Sequence, residues 1–225
     1  MTDRPLPRPR AARHATRLPF AATLAALTAL GGCAGLGSAP PPRLFALAGA
    51  PAAAAPVPCA MGFSIRDVRV AGHLDRAEIV TGREGPEIRA AADALWAAPL
   101  RAELPRLTAA LLGQRLAGSR VVPYPWRFNE WPDAAFTFDI DRMEPVGDAL
   151  QLAATWTAAV PGSAPRALGG GRFETTVPMS GHGAAATVRA ADVALGRLAD
   201  AVAAQAAPGG RLASGCPTPL PGGRG

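Results

Sequence analysis

Two aspartates near the middle of the chain have the side chains and the spacing that acid–base chemistry or cation binding would need. Asp139 and Asp141 alternate with Phe138 and Ile140, so we expect the two carboxylates to share one face of a strand. Such a pair could exchange protons with a substrate or bind a cation. No third ligand is evident in the sequence, and we favour the solvated face of a half-buried strand.

Ser180, His182, His73 and Asp75 carry the residue types of a serine hydrolase. The first two lie in the segment SGHG and the last two in HLDR, so a catalytic triad would require the fold to bring them together. The chain lacks a GxSxG motif, and its glycines at 169–171 lack the Lys-Ser/Thr of a phosphate-binding loop. The sequence therefore predicts a protein that is not an enzyme, with no catalytic residues, no cofactor and no metal.

The elements that must position these residues are predicted from alternation and from helical periodicity. Strands are predicted at 63–70, with a slip in the alternation near Asp67, and at 79–81, 120–125, 136–140, 150–160 and 172–177. Helices are predicted at 100–116, where leucines form one apolar stripe, and at 186–207. This order predicts an α+β fold, with a mostly antiparallel or mixed sheet and two helices packed on one face.

Prolines and glycines add local detail to this prediction. Pro105 falls inside the first helical stretch, where it removes a hydrogen bond, so we expect a kink there or a helix that begins near it. Gly147 and Asp148 separate two alternating segments, which is typical of a β-hairpin. A further turn is predicted from Gly82 to Gly85.

Three aromatic residues lie close together in the sequence and form the candidate partner interface. Trp126 and Trp131 flank the segment 127–130, and Tyr124 precedes them in VVPYPW. Large aromatic side chains either fill a core or form an exposed patch at an interface. The sequence leaves both placements open.

The net charge of +6 comes largely from the N-terminus and does not indicate nucleic-acid binding. Residues 1–32 carry five arginines and one aspartate, which leaves 18 basic and 16 acidic residues in the rest of the chain. A small surplus spread along a sequence is not the clustered basic surface of a nucleic-acid-binding protein. We therefore expect no nucleic-acid partner.

The N-terminal residues have the pattern of an export signal. An arginine-rich stretch at 4–17 precedes an apolar run of 13 residues at 18–30, shorter than the about 20 residues of a membrane-spanning helix. The tetrapeptide LGGC that ends at Cys33 then resembles the bacterial lipobox, in which the chain is cut before the cysteine and the thiol is acylated. The alternative is an ordinary secretory signal with an incidental cysteine.

The lipobox resemblance implies a lipoprotein signal peptide at 1–32 and membrane attachment through lipidated Cys33. Several acyl chains on one residue give stable anchoring, whereas a single chain is marginal. Ala34 occupies the position where an aspartate would usually signal retention in the inner membrane. By resemblance to sorted lipoproteins, the protein is expected at the outer membrane, facing the periplasm.

The remaining chain is predicted to be a tether, a domain and a tail. Residues 33–58 are rich in alanine and proline, with a possible short strand at 43–47. About 25 such residues would reach at most about 80 Å. The domain is expected at 59–207, followed by a flexible tail at 208–225.

Cys59 and Cys216 are the cysteines that remain after Cys33. An even pair in an exported protein is a candidate disulfide, because exported proteins fold in an oxidising compartment. Two unpaired thiols are the alternative.

Four segments in order resemble the ABC-type transport auxiliary lipoproteins of the PqiC type. The segments are PPRLFAL at 41–47, HLDRAEIVT at 73–81, LWAAPL at 95–100 and VVPYPW at 121–126. Together with the lipobox they cover roughly residues 30–205. Each segment alone is a weak signal, and the shared order and spacing make the resemblance fairly specific.

The resemblance implies a non-enzymatic accessory subunit of an intermembrane lipid transport system. Its expected partners are an MCE-type tunnel protein and an ABC permease, and a homo-oligomeric ring around a tunnel mouth would suit this role. The alternative function is a structural lipoprotein that scaffolds another envelope complex or the cell wall.

Overall fold

The structure is a computed structural model, and it describes residues 40–126, 131–213 and 216. The chain divides into a unit of residues 1–40 and a compact unit of residues 41–225. All described residues except Pro40 belong to the second unit. The predicted signal peptide and the predicted lipid-attachment residue, Cys33, lie outside the described residues.

The described residues form an order of strands, helix, strands and helix. The elements are β1 (Arg43–Phe45), β2 (Val57–Pro58), β3 (Gly62–Val70), β4 (Glu78–Glu84), β5 (Glu87–Trp96), α1 (Leu100–Arg115), β6 (Leu116–Ala117), β7 (Arg120–Pro123), β8 (Ala134–Val146), β9 (Ala149–Val160), β10 (Arg166–Pro178) and α2 (Ala184–Ala204). This order confirms the predicted α+β class.

A mixed five-stranded sheet in the order β10-β9-β8-β3-β7 is the largest part of the fold. Strands β8, β9 and β10 pair antiparallel, and β3 pairs parallel with both β8 and β7. A second sheet has the order β1-β5-β4, and β2 pairs with β6 in a short two-stranded ladder. Both helices pack on the large sheet, α1 against β3 and β7 and α2 against β9 and β10.

Aromatic side chains on alternate positions of the large sheet fill the core beneath the helices. Phe63, Phe136 and Phe138 are almost fully buried. The ring centroids of Phe63 and Phe136 lie 5.1 Å apart, and those of Phe136 and Trp156 lie 6.2 Å apart. Such ring pairs add about 0.5–1.5 kcal/mol each beyond the burial of their apolar surface. The alternation predicted from the sequence therefore identifies the buried face of the sheet.

A β-bulge and a hairpin of the large sheet lie where the sequence predicts them. The register of β3 against β8 shifts between Ile65 and Asp67, which is a β-bulge at the predicted slip in alternation. Strands β8 and β9 are joined by Gly147 and Asp148, and Gly147 has a φ of 60° that favours glycine. Both predictions are confirmed.

Helix α1 begins five residues before Pro105, where the sequence predicted either a kink or the start of the helix. The helix runs from Leu100, with Pro99 at its N-cap, and Pro105 lies inside it. The carbonyl of Pro99 accepts hydrogen bonds from the N–H groups of Ala102 and Glu103, so the first turn is formed without Pro105. Burial of Leu100 and Leu104 against the core holds the turn that precedes Pro105.

The predicted turn from Gly82 to Gly85 is shorter in the structure. Strand β4 continues to Glu84, and the chain turns at Gly85 and Pro86. Strand β5 follows, in a stretch where alternation predicts no strand. Its many alanines give a weak alternating signal, and pairing with β1 and β4 determines its structure.

Residues 43–58, expected to belong to the tether, are packed on the folded unit. Strand β1 pairs parallel with β5, β2 pairs with β6, and Leu47 is buried in the core. The compact unit includes this segment from Pro41 onward. Strand pairing and the burial of Leu47 therefore oppose the conformational entropy that this segment loses.

A buried arginine fixes the part of this segment between β1 and β2. The Arg115 side chain is 3% exposed, and its Nε donates to Asp200 Oδ1 at 2.6 Å. Its Nη2 donates to the carbonyls of Ala50 and Pro51 at 3.3 and 3.2 Å. A Cβ on Gly196 would lie 2.9 Å from the Cβ of Ala50, so only glycine lets α2 approach the segment this closely.

Asp192 fixes the same segment one turn of α2 before Gly196. Its Oδ1 accepts hydrogen bonds from the N–H groups of Ala48 and Gly49 at 2.9 and 2.7 Å. Burial raises the pKa of Asp192 above its ordinary value, and the two backbone hydrogen bonds oppose that rise. The carboxylate therefore binds the segment although its partial burial costs free energy of solvation.

The described residues after α2 are also more tightly held than the expected tail. Turns follow Ala204, and Leu212 is buried in the core at 3% exposure. Cys216 forms a disulfide with Cys59, and the two Cα atoms lie 4.6 Å apart. The carbonyl of Cys59 also accepts a hydrogen bond from the Ser119 hydroxyl. The disulfide thus holds Cys216 beside the start of the large sheet.

Within the described residues, no helix has both the length and the apolar character needed to span a membrane.

We expect the double substitution Cys59→Ser and Cys216→Ser to lower the free energy of unfolding by about 2–5 kcal/mol. The bridge joins residues 157 positions apart, so it restricts the unfolded chain strongly. Urea unfolding with and without reductant measures this effect. Reductant should lower the midpoint of the wild type and leave the double variant unchanged, and an insensitive wild type would contradict the prediction.

The raised pKa of Asp192 predicts how the Asp192→Asn substitution depends on pH. The folded chain binds the carboxyl proton of Asp192 more tightly than the unfolded chain does. The protein therefore loses stability as the pH rises through the pKa of Asp192 in the folded state and the carboxyl ionises. The asparagine keeps the acceptor oxygen without the charge. The unfolding free energy of the wild type relative to Asp192→Asn should therefore rise as pH falls from about 7 to about 3.

Chemical denaturation of both proteins across this pH range measures the difference. Asp148→Asn is a matched control, because the Asp148 side chain is 93% exposed. A difference that is constant with pH, or that changes in the opposite direction, would overturn the assignment of Asp192.

Candidate partner interface

Tyr124, Trp126 and Trp131 form one aromatic cluster on the surface of the protein. The rings of Tyr124 and Trp126 meet edge to face with centroids 5.0 Å apart, and those of Trp126 and Trp131 do so at 5.6 Å. Tyr124 is 57% exposed and Trp131 is 66% exposed, whereas Trp126 between them is half-buried. Of the two placements left open by the sequence, the structure has the exposed patch.

The ends of two strands beside β3 position the aromatic cluster. Tyr124 directly follows β7, and its N–H donates to the carbonyl of Ile65 at 2.9 Å. Pro125 follows in a cis peptide bond. Asp133 lies just before β8, where it bonds to both the N–H and the carbonyl of Gly62. The cluster is therefore attached at each end to the backbone of β3.

The aromatic cluster borders an open concavity of about 1020 Å³. Arg66 and Asp67 at the β3 bulge and residues 161–163 after β9 also line it. Asp67 lies 3.9 Å from Arg69, a distance beyond a hydrogen bond. We name this concavity, with the aromatic cluster, the aromatic groove. It offers apolar surface together with both signs of charge, as protein interfaces do.

The residues considered for a serine hydrolase are not brought together. His73 Nε2 lies 2.7 Å from Glu144 Oε2, and Asp75 instead pairs with Arg101 at 3.5 Å. His182 is 78% exposed and lies 3.8 Å from Asp148. The geometry thus gives these residues structural or surface positions.

The aspartates considered for cation binding also have other partners. Asp139 forms an ion pair with Arg69, in which Arg69 Nε and Asp139 Oδ1 lie 2.6 Å apart. Asp141 is exposed. Among the described residues, no three His, Cys, Asp or Glu side chains are placed to hold a metal ion. The solvated face of the strand is the position favoured from the sequence.

A buried charge cluster around Glu144 is a feature that sequence reasoning missed. The Glu144 side chain is fully buried, and it bonds to His73 and to Nε of Arg83. The cluster links β8 of the large sheet to β4 of the three-stranded sheet. The alternation of residues along one strand predicts the face on which a glutamate lies. It does not predict that the glutamate will pair with an arginine on another sheet.

We expect Glu144→Ala to destabilise the fold by about 1.5–3 kcal/mol, because it removes the buried carboxylate that bonds to Arg83 and His73, both of which keep part of their surface in water. Glu174→Ala is the matched control. Glu174 pairs with Arg172 at 2.7 Å on the surface, where a pair contributes about 0–1 kcal/mol. Urea unfolding compares the two variants, and equal losses would contradict the assigned burial.

Comparison with known proteins identifies the family. The family model of the ABC-type transport auxiliary lipoprotein component matches residues 45–203. No match is found among curated proteins. The matched range begins within the N-terminal segment that packs on the fold, and it includes the aromatic groove.

Two solved structures share the fold at low sequence identity. A crystal structure of an uncharacterized protein has a TM-score of 0.60 and 16% identity, over 73% of this chain and 98% of that one. A Xanthomonas campestris protein of the DUF330 family model has a TM-score of 0.56 and 18% identity, over 73% and 94%. The PelC dodecamer from Paraburkholderia phytofirmans is less similar, with a TM-score of 0.38 and 12% identity over 62% and 86%. With its family model matched over most of its length, the chain belongs to the ABC-type transport auxiliary lipoprotein component family.

Proposed function

We propose that this protein is a non-enzymatic accessory subunit of an ABC/MCE-type intermembrane lipid transport system. It is anchored in the outer membrane through lipidated Cys33 and faces the periplasm. Its partners are an MCE-type tunnel protein and an ABC permease, and copies of the chain form a ring at the mouth of the tunnel. The observation that carries the proposal is the family match over residues 45–203.

The aromatic groove supports a docking role for the folded unit. Four large apolar side chains of the described residues are exposed, and two of them, Tyr124 and Trp131, lie in the aromatic cluster. Tyrosine and tryptophan are enriched among the residues that dominate binding energy at protein interfaces. The buried charge cluster and the scattered histidines offer no comparable surface. We therefore assign the aromatic cluster as the contact with the transporter.

The sequence of the N-terminus supports the proposed location. The lipobox-like LGGC supplies the cysteine for acylation, and Ala34 lacks the usual signal for inner-membrane retention. Stable anchoring by acyl chains would hold the folded unit at the membrane surface. An accessory protein that meets a tunnel at its outer-membrane end needs this placement.

We expect Trp131→Ala to weaken binding to the transporter by about 2 kcal/mol, or about 30-fold in Kd. Crosslinking of intact cells, purification of the lipidated protein in mild detergent and mass spectrometry identify the partners. An MCE protein or an ABC permease should co-purify with the wild type and be depleted with Trp131→Ala. Leu44→Ala is the matched control, because Leu44 has the same 66% exposure outside the groove.

Two results would overturn the proposal. Recovery of cell-wall or unrelated assembly proteins without a transporter subunit would favour the structural scaffold. Equal depletion with Leu44→Ala and Trp131→Ala would remove the aromatic cluster as the contact.

A further inference from the structure

Strand β10 ends the large sheet, and its outer edge carries backbone groups that β9 does not use. The strand is 13 residues long and pairs with β9 alone among the described strands. Successive residues of an antiparallel strand direct their N–H and C=O groups to opposite sides. The N–H of Met179, just after β10, donates to the carbonyl of Asp148 beside β9, so odd-numbered residues from Gly169 onward face β9. Even-numbered residues therefore present their N–H and C=O groups at the outer edge.

Two arginines of the same chain occupy this outer edge. Arg197 on α2 donates from Nη1 to the carbonyl of Thr176 and to the hydroxyl of Thr175, each at 3.1 Å. Arg211, in the turns after α2, donates from Nη1 to the carbonyl of Gly170. Both carbonyls belong to even-numbered residues. The two guanidinium groups therefore lie where the backbone of a further strand would have to lie.

Between the two arginines the edge is open. Arg172 and Glu174 are the even-numbered residues there, and among the described residues no group bonds to their outward N–H and C=O groups. Their side chains are exposed and pair with each other at 2.7 Å. Strand edges with unpaired backbone groups are templates for pairing with another chain.

The centre of this edge is complementary to itself. Arg172 and Glu174 lie at equal distances in sequence from Phe173. Antiparallel pairing of β10 with the β10 of a second copy, about a two-fold axis at Phe173, therefore sets each Arg172 opposite a Glu174. Both residues have outward backbone groups, so each such pair exchanges its N–H···O=C bonds, and opposite charges directly across two strands attract each other.

The same register adds an apolar contact. Phe173 is half-buried and packs against the core. It would lie opposite the Phe173 of the second copy at a position without hydrogen bonds, where Cα atoms are about 4.5 Å apart and aromatic pairs stabilise a sheet. Centring the pair on Arg172 or on Glu174 instead would set two like charges opposite each other. Charge therefore favours one register.

We propose that β10 is a strand-pairing surface for a second copy of this chain, closed in the structure by Arg197 and Arg211. The two copies pair antiparallel about Phe173 when these arginines leave the edge. A two-fold pair is complete with two copies and does not continue into a ring. The arginines therefore keep the copies available for a ring at the tunnel mouth. Only this last consequence rests on the proposed function.

Hydrogen–deuterium exchange of the purified full chain in mild detergent tests the pairing at the backbone. The double substitution Arg197→Ala and Arg211→Ala opens the edge, and we call this protein the open-edge variant. At high protein concentration the N–H groups of Arg172 and Glu174 should exchange about tenfold more slowly in it than in the wild type, because they become donors in the strand pair. The N–H of Phe173 faces β9 in both proteins and is the internal reference.

The matched control removes two arginines elsewhere on the helices, by Arg106→Ala and Arg189→Ala. Both side chains are exposed, and neither is bonded to β10. This control should exchange like the wild type. Arg197→Ala alone removes one of the two guanidinium groups and should give partial protection. The proposal is overturned if the open-edge variant shows no protection at any concentration, or if the wild type or the control is protected equally.

Charge exchange at the centre of the edge tests the register. In the open-edge variant, Glu174→Arg sets like charges at both cross-strand positions and should lower the association constant by about tenfold. Adding Arg172→Glu restores opposite charges in the reverse order and should restore pairing. The protein concentration at half-maximal protection gives the association constant. Association that ignores Glu174→Arg, or that Arg172→Glu does not restore, would overturn the proposal.

These measurements use the isolated protein, so they separate this proposal from the proposed function. Absence of strand pairing together with intact crosslinking to a transporter would refute only the β10 contact. Strand pairing in a protein that recovers no transporter subunit would refute only the proposed function.

Discussion

The guanidinium of Arg115 connects three parts of the chain that are distant in sequence, and the course of the N-terminal segment depends on it. It donates to the carbonyl of Leu111 in α1, pairs with Asp200 on α2, and binds the carbonyls of Ala50 and Pro51. A guanidinium buried this deeply is tolerated because its donors have fixed acceptors around them. The helices and the N-terminal segment are therefore positioned by one side chain, and the glycine at 196 makes room for the contact.

The parts of the fold that were predictable from the sequence are those set by local chemistry. Alternation of apolar residues identifies the buried faces of β3, β8 and β9, and the slip near Asp67 marks the bulge whose residues line the aromatic groove. Glycine at a positive φ marks the hairpin between β8 and β9. The aromatic cluster was also found from sequence, because three large rings within eight positions are conspicuous, although their exposure was left undecided.

The parts that were missed depend on partners far along the chain. Strand β5 is rich in alanine, which has low strand propensity, and it forms because β1 and β4 pair with its two edges. Glu144, Asp192 and Arg115 look like ordinary polar positions in their local patterns. Their burial follows from Arg83, the N–H groups of Ala48 and Gly49, and Asp200, each contributed by another element. No periodicity within one segment carries that information.

Because residues 43–58 pack on the folded unit, they do not lengthen the chain that would connect this unit to a lipid anchor at Cys33. If lipid is attached at Cys33 as proposed, ten steps of chain separate the anchor from Arg43 at the start of β1. Ten residues extend to at most about 35 Å, less than half the reach of a tether that continued to residue 58. The folded unit would therefore sample only a thin layer beside the bilayer, and a partner that spans the periplasm would have to come to it.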